Sequence, residues 1–378
     1  MADSACETKG GAGILRAGRK LAAALSVAVI GMVGPVEPVD AAVGAIHPDV
    51  LKATAALEKA KGAEAYATLR ELWGTWDRGD PTHVEEALTA YAESATTSPE
   101  LRVYAELLAA YARRRRGDLD GAVQRIEKLG FVHAWLTVGP FANENKTGLG
   151  TQVAPELEHL EAISLSRTYD GKERAVRYRL PPQAPAYGWF DFGDIMRPRE
   201  GICAFATTFV RPRAAAAKGG GPAPAKAGDP ISIWVGSAGA FKLFWNGEQV
   251  LEDSGYRSLD IDRFATTQTL RAGDNRLTIK VCGEGDAPKF ALRIADAKGA
   301  PHKGVEIVAS VEASTAFADA MRAPGKGGAT GQKPAQPRQA VLGPMQAFEK
   351  AVAGDKPSPA ALEAYARYLA ITGGDSAP

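Results

Sequence analysis

The chain changes its hydrophobic rhythm twice. From residue 48 to about residue 129, apolar positions recur with a helical period. Val84, Ala87, Leu88 and Tyr91 fall at i, i+3, i+4 and i+7, one stripe of a helix. Start signals accompany the stripe: Asp80 before Pro81 and Ser98 before Pro99 each set a capping side chain ahead of proline at the first helical position. Asp118 offers a cap for a further helix whose apolar face is Ala122, Val123, Ile126 and Leu129. A tyrosine between alanines recurs at Tyr66, Tyr91 and Tyr111, and again at Tyr365 behind Ser358 and Pro359. The alanines let neighbouring helices approach while the ring fills the gap between them.

After residue 130 the rhythm is that of strands, short runs of Val, Ile, Phe, Trp and Thr broken by Gly, Pro, Asn and Asp. The clearest unit is 241–251, where Asn246-Gly247 supplies the two positive-φ positions of a type I′ hairpin turn. Further strands are predicted at 135–138, 201–210, 231–235, 277–282, 290–294 and 305–311, with a turn at Gly273-Asp274-Asn275. No long helix separates them, which predicts an antiparallel β-sandwich or jelly roll. The expected fold class is multidomain α+β. A helical repeat or bundle spans 46–130, a β-sandwich spans 131–312, and a short helical C-terminal tail occupies 341–378. Two stretches too poor in apolar residues to fold, 214–229 and 323–340, predict a flexible insertion in the sandwich and a disordered linker after it.

The recurring tyrosine stamp resembles stacked helical hairpins of the tetratricopeptide kind, although no full unit of about 34 residues can be written. A plain Ala-rich bundle is the alternative. Within the strand region the order of short motifs is similar to the galactose-binding-like jelly-roll module of large exported bacterial proteins of the myxobacterial type. The motifs are Trp135 to Phe141, Tyr169 to Lys172, Trp234 to Ser237, Asn246 to Glu248, Asp260 to Asp262 and Leu270 to Cys282. In those proteins the module sits beside tetratricopeptide-like helices and, in many members, precedes a transglutaminase-like domain. Only a linker and a helical tail follow the module here. The resemblance therefore implies the non-catalytic front part of such a protein, and no transferase chemistry is carried over.

Residues 1–41 read as an export signal. Arg16, Arg19 and Lys20 precede an uncharged apolar run, 21–33, and small residues allow cleavage after Ala41, with Ala45 as the alternative. The run is shorter than the ~20 residues a membrane span needs. The expectation is a periplasmic or secreted protein of the cell envelope, with no stable membrane span after signal removal. Export leaves Cys203 and Cys282, both inside apolar strand-like runs. They can pair in an oxidising compartment, but the favoured expectation is two free thiols buried as small hydrophobes.

Composition narrows the chemistry. With 45 Lys+Arg against 44 Asp+Glu the formal charge is +1, which excludes a globally basic nucleic-acid binder and an acidic disordered chain. Three Cys are too few for a cysteine-rich zinc protein. His47, His83, His133, His159 and His302 stand isolated, and no nucleophile elbow, phosphate loop or dinucleotide fingerprint occurs. Arg113 to Arg116 reads as a solvated helix end, its cations complementing the helix dipole. No catalytic residue, metal or cofactor is expected. Candidate ligand-binding residues are Tyr187, Trp189 and Phe192, as a sugar-stacking platform, and Asn246, Asp260 and Asp262 in nearby loops. The competing readings are core packing for the aromatics, and turn-capping or solvent-facing roles for the two acids, which alternate with Leu259 and Ile261 as if on one side of a strand. The expected function is non-enzymatic binding or scaffolding at the cell envelope, with a protein partner on the helices; the alternatives are a carbohydrate-binding module protein, or an accessory part of a transglutaminase-like enzyme whose catalytic domain is absent here.

Overall fold

The computed structural model describes residues 45–181, 186–214, 222–323 and 341–372. Residues 1–44, with the expected export signal, and residues 324–340 of the expected linker lie outside the described residues. The helices are α1 (Pro48–Leu57), α2 (Ala63–Gly74), α3 (Pro81–Glu93), α4 (Pro99–Arg115), α5 (Leu119–Ile126), the single turn α6 (Ala154–Leu157), α7 (Val311–Arg322), α8 (Pro344–Val352) and α9 (Pro359–Ile371). Three of the foreseen caps form: Asp80 accepts the Thr82 N–H, Asp118 that of Gly121, and Ser358 that of Ala361. Ser98 instead donates its hydroxyl to Glu100, 2.7 Å away. The apolar stripes of α1 to α4 merge into one cluster that includes Val84, Leu88, Tyr104 and Leu108. Phe348, Ala364 and Tyr368 of the tail helices belong to the same cluster, and Arg367 pairs with Glu71 of α2 at 2.9 Å.

The strands are β1 (Leu136–Ala142), β2 (Tyr169–Asp170), β3 (Ala175–Val176), β4 (Phe190–Asp191), β5 (Ile202–Pro212), β6 (Pro230–Ala238), β7 (Ala240–Trp245), β8 (Glu248–Asp253), β9 (Phe264–Thr269), β10 (Asn275–Gly283), β11 (Lys289–Asp296) and β12 (Val305–Val308). They form two antiparallel sheets, β1-β5-β10-β7-β8 with β12 also on β5, and β4-β11-β6-β9, besides the small β2–β3 ribbon. The foreseen hairpin joins β7 to β8, with Asn246 and Gly247 both at positive φ. The fold is thus α+β, helices first, a sandwich-like pair of sheets next, and short helices last.

Strand alternation explains why the apolar runs are so continuous. Ile231, Ile233 and Val235 of β6, with Phe290, Leu292 and Ile294 of β11, face the interior between the sheets, as do Leu277, Ile279 and Val281 of β10. The alternate residues are buried as well. On the larger sheet Cys203, Phe205, Phe209 and Cys282 lie under a second cluster with Phe317 of α7, Leu149 and Tyr178. On the smaller sheet Ala291 meets Val103 and Leu107 of α4. The outer faces of the central strands β5, β6, β10 and β11 are therefore covered, which permits apolar residues on both sides of those strands.

Three expectations are corrected. Cys203 and Cys282 stand directly opposite each other on β5 and β10 and form a disulfide. Adjacent antiparallel strands bring paired side chains of one face within reach, a juxtaposition that spacing along the chain does not reveal. The run 305–311 is not all strand: β12 ends at Val308, and Ser310, accepting the Ala313 N–H, starts α7. The insertion 214–229 is partly anchored. Ala225 is buried in the sandwich core, its N–H donating to the Gly304 carbonyl, and the Gly228 N–H donates to that of Leu270. Residues 215–221 lie outside the described residues.

A candidate ligand pocket between helices and sandwich

The outer face of the smaller sheet meets the helices with charged groups among its small residues. Alternation that turns Leu292 and Ile294 inward turns Arg293 outward, and Trp234 of β6 lies beneath its guanidinium, 4.5 Å from carbon to ring centre. The loop from β8 to β9 then crosses β6. A Cβ on Gly236 would stand 1.9 Å from the Asp260 carbonyl oxygen, so a residue without a side chain is required there. This close approach delivers Asp260 and Asp262 to the seam.

Asp262 is buried and accepts a bond from Arg293 Nε at 2.5 Å, while Arg293 also donates to the Gly299 carbonyl. Burial pushes the Asp262 carboxyl above its usual range, with Arg293 opposing. Asp260 accepts from the Tyr104 and Tyr368 hydroxyls, at 3.4 and 2.5 Å. Two guanidinium groups flank it, Arg70 and Arg263, each with a nitrogen 3.9 Å from a carboxylate oxygen. Burial, and next the Asp260 charge, pushes both phenols well above the ordinary tyrosine range, so they remain protonated donors.

Above Asp260 opens a pocket of about 300 Å³, at the lower end of the range for small-molecule sites. Leu107, Leu108 and Tyr111 of α4 form one wall, and Trp189, Leu259 and Ile261 the other. Arg70 and Asp260 supply its charged groups, with Lys289, paired to Asp191 at 3.0 Å, also in the lining. Burial raises the Tyr111 hydroxyl as well, and that hydroxyl donates to the Tyr187 carbonyl. The lining thus combines apolar contact area, aromatic ring surface and fixed charge, which suits holding a ligand. A second cleft, about 830 Å³, includes Tyr66, Glu100 and Trp234 in its lining and extends to Val341, at the boundary of the described residues.

The six foreseen binding residues part company here. Trp189 and Asp260 line the same pocket. Tyr187 stacks on Trp189, ring centres 5.6 Å apart, and Arg114 covers Tyr187 at 4.2 Å, so the pair is no open platform. Phe192 is fully buried in the sandwich core against Phe190 and Phe290. Asn246 is buried in its own hairpin turn, bonded to Asn275 and to the Arg276 N–H. Asp260 and Asp262 lie in a loop, not on a strand, and both are buried, so neither faces solvent.

The basic run is also more specific than a solvated helix end. Arg113 and Arg116 pair with buried Glu85 at 2.7 and 2.8 Å, and Arg115 stacks on Trp76 at 3.7 Å. Glu85 lies on the preceding helix, so only the α3–α4 packing reveals these partners. Sequence reading missed Arg70, Tyr104, Tyr111 and Lys289 as lining residues. One signal existed: Tyr66, Leu69, Arg70 and Trp73 fall at i, i+3, i+4 and i+7, so a guanidinium stands where the apolar stripe expects a hydrophobe.

No family model matches the chain, and no curated protein does. Among solved structures, the chain is similar to an anti-sigma factor domain-containing protein from Clostridium clariflavum, at 12% identity and TM-score 0.27, covering 47% of this chain and 46% of that one. It is also similar to a beta-glucosidase from Kluyveromyces marxianus in complex with glucose, at 13% identity and TM-score 0.23, covering 43% and 15%. A GH31 alpha-xylosidase from Xanthomonas citri gives 8% identity and TM-score 0.24, covering 48% and 19%. The chain spans less than half the length of each of these structures. TM-scores this low carry no argument about function. Among the described residues, no helix is long and apolar enough to cross a membrane, and no group of three or more His, Cys, Asp and Glu is placed to hold a metal ion.

Proposed function

We propose that this chain is an exported, non-catalytic binding protein of the cell envelope, and that its helices and sandwich hold one small ligand between them. The observation that carries this reading is the pocket at their seam, with Tyr111 and Trp189 in its walls and buried charge in its lining. The Cys203–Cys282 disulfide and the signal-like residues 1–41 support an oxidising, extracytoplasmic location. The helical section keeps its tetratricopeptide-like reading, and with it a protein partner, as part of this proposal.

Thermal-shift screening of small metabolites against wild type and Leu259→Trp, which fills the pocket from its loop wall, tests the ligand site. Ligands that stabilise wild type and not the variant support it; a screen in which nothing discriminates the two overturns it. The carbohydrate reading rests on Trp189, a half-buried indole lining the pocket beside Asp260. A glycan array with wild type and Trp189→Ala decides that alternative. Equal binding by both, or binding by neither, ends it.

A further inference from the structure

The seam has more buried positive charge than its own acids neutralise. Three guanidinium groups, Arg70, Arg263 and Arg293, stand beside two carboxylates, Asp260 and Asp262. Their hydrogen bonds are unequal. Arg293 donates to Asp262 and to the Gly299 carbonyl. Arg263 donates to the Thr372 hydroxyl at 3.2 Å and approaches the Met345 sulfur. Arg70 makes no hydrogen bond among the described residues: its Nε is buried without a partner, and its nearest carboxylate oxygen is 3.9 Å away. That carboxylate already accepts from two phenols. Arg263 Nε and Arg293 Nη2 are also buried without a partner, but each of those guanidiniums makes other bonds; Arg70 alone of the three makes none among the described residues, and it lines the pocket with 19% of its side chain exposed.

An arginine removed from water without acceptors is costly, and a planar fork of donors is satisfied best by a carboxylate in bidentate contact. The rest of the lining says what should accompany that anion. Leu107, Leu108, Tyr111, Trp189 and Ile261 offer apolar and ring surface, and Lys289 adds a second cation. Asp260, the one acid in the lining, is committed to Tyr104 and Tyr368 and flanked by Arg263 on its other oxygen. It is thereby screened from an incoming anion.

We infer that the pocket takes a small monocarboxylate with an apolar or ring-shaped body, the carboxylate on Arg70 and the body between Tyr111 and Trp189. This rests on the pocket being a ligand site, as proposed above, and adds the charge and class of the ligand.

The test compares acids with their neutral isosteres on the full chain. Phenylacetate and hexanoate are titrated against phenylacetamide and hexanamide by calorimetry, with wild type, Arg70→Gln and Leu259→Trp. The expected result is binding of the acids at least tenfold tighter than the amides in wild type. Arg70→Gln should lose that preference while still binding phenylacetamide, which also shows that the variant is folded. Leu259→Trp should bind none of the four. If wild type binds acids and amides equally, or Arg70→Gln keeps the preference, the charge assignment is overturned while the ligand site stands. If wild type binds none of the four, this inference falls; the site itself is judged separately by the metabolite screen.

Discussion

The interior of the sandwich and its seam with the helices both hold deeply buried side chains, and the two are chemically opposite. Between the sheets, Phe241, Phe290, Ile279 and Leu292 interlock with no charged group among them. At the seam, Arg263, Arg293, Asp260 and Asp262 are buried as deeply, beside Tyr66, Tyr104 and Tyr368. Apolar burial supplies net stability in proportion to area. Buried ion pairs supply little, because desolvation offsets their attraction, yet losing one partner strands the other. The first region therefore makes the fold stable, and the second selects which face of the helices may lie on the sheet, since a shifted docking would leave charges unpaired.

The comparison breaks most directly at its two centres. Phe290→Ala should cost about 3–5 kcal/mol through the cavity it leaves among Trp135, Phe190 and Phe192. Asp262→Ala should cost as much, about 3–5 kcal/mol, by leaving Arg293 buried without its carboxylate. The two differ in rescue. Asp262→Leu combined with Arg293→Met should return urea stability to wild type or above, whereas a double variant as destabilised as Asp262→Ala would show that the seam charges stabilise in their own right. Next in size, replacing Cys203 and Cys282 together by alanine should lower stability by about 2–4 kcal/mol, read in the same denaturant titration.

A subtler effect comes from Lys280, fully buried on the covered face of the larger sheet and bonded to Glu156 and to the Leu149 and Thr151 carbonyls. Burial lowers its ammonium pKa below the ordinary 10.5, with Glu156 opposing. The folded protein then releases this proton at lower pH than the unfolded chain. Between the two pKa values the unfolded state binds more protons, so this group makes stability rise with pH just below 10.5. Lys280→Met should flatten that rise in melts taken across alkaline pH. Smallest of all, Arg322→Ala, which removes the exposed pair with Glu161, should change stability by less than about 1 kcal/mol.

Much of the fold was legible because local rules and tertiary packing agree. The Asn246-Gly247 turn needs only two residues to declare a hairpin, and the Asp80 and Asp118 caps are contacts within a few residues of chain. The expected strand 305–311 runs past the end of β12 because Val308, Ala309 and Val311 are apolar, and a short apolar run does not distinguish a strand end from the start of a buried helix. The candidate site was half legible. Trp189 stood out as an aromatic in a Gly- and Pro-flanked stretch, and Asp260 as an acid among hydrophobes. Phe192 and Asn246 carried the same outward signs, and only strand facing and turn bonding set them inside.

The chain's own order of residues determined the element types, the helical and strand regions and several of the turns and caps, because these depend on periodicity and on bonds between near neighbours. Folding in three dimensions decided the rest. It paired Cys203 with Cys282, returned the tail helices to α2, and assembled Arg70, Asp260, Tyr111 and Trp189 around one cavity. Those partners are far apart along the chain, and their meeting depends on which faces of the helices and sheets are buried together. Residue spacing alone does not encode that choice.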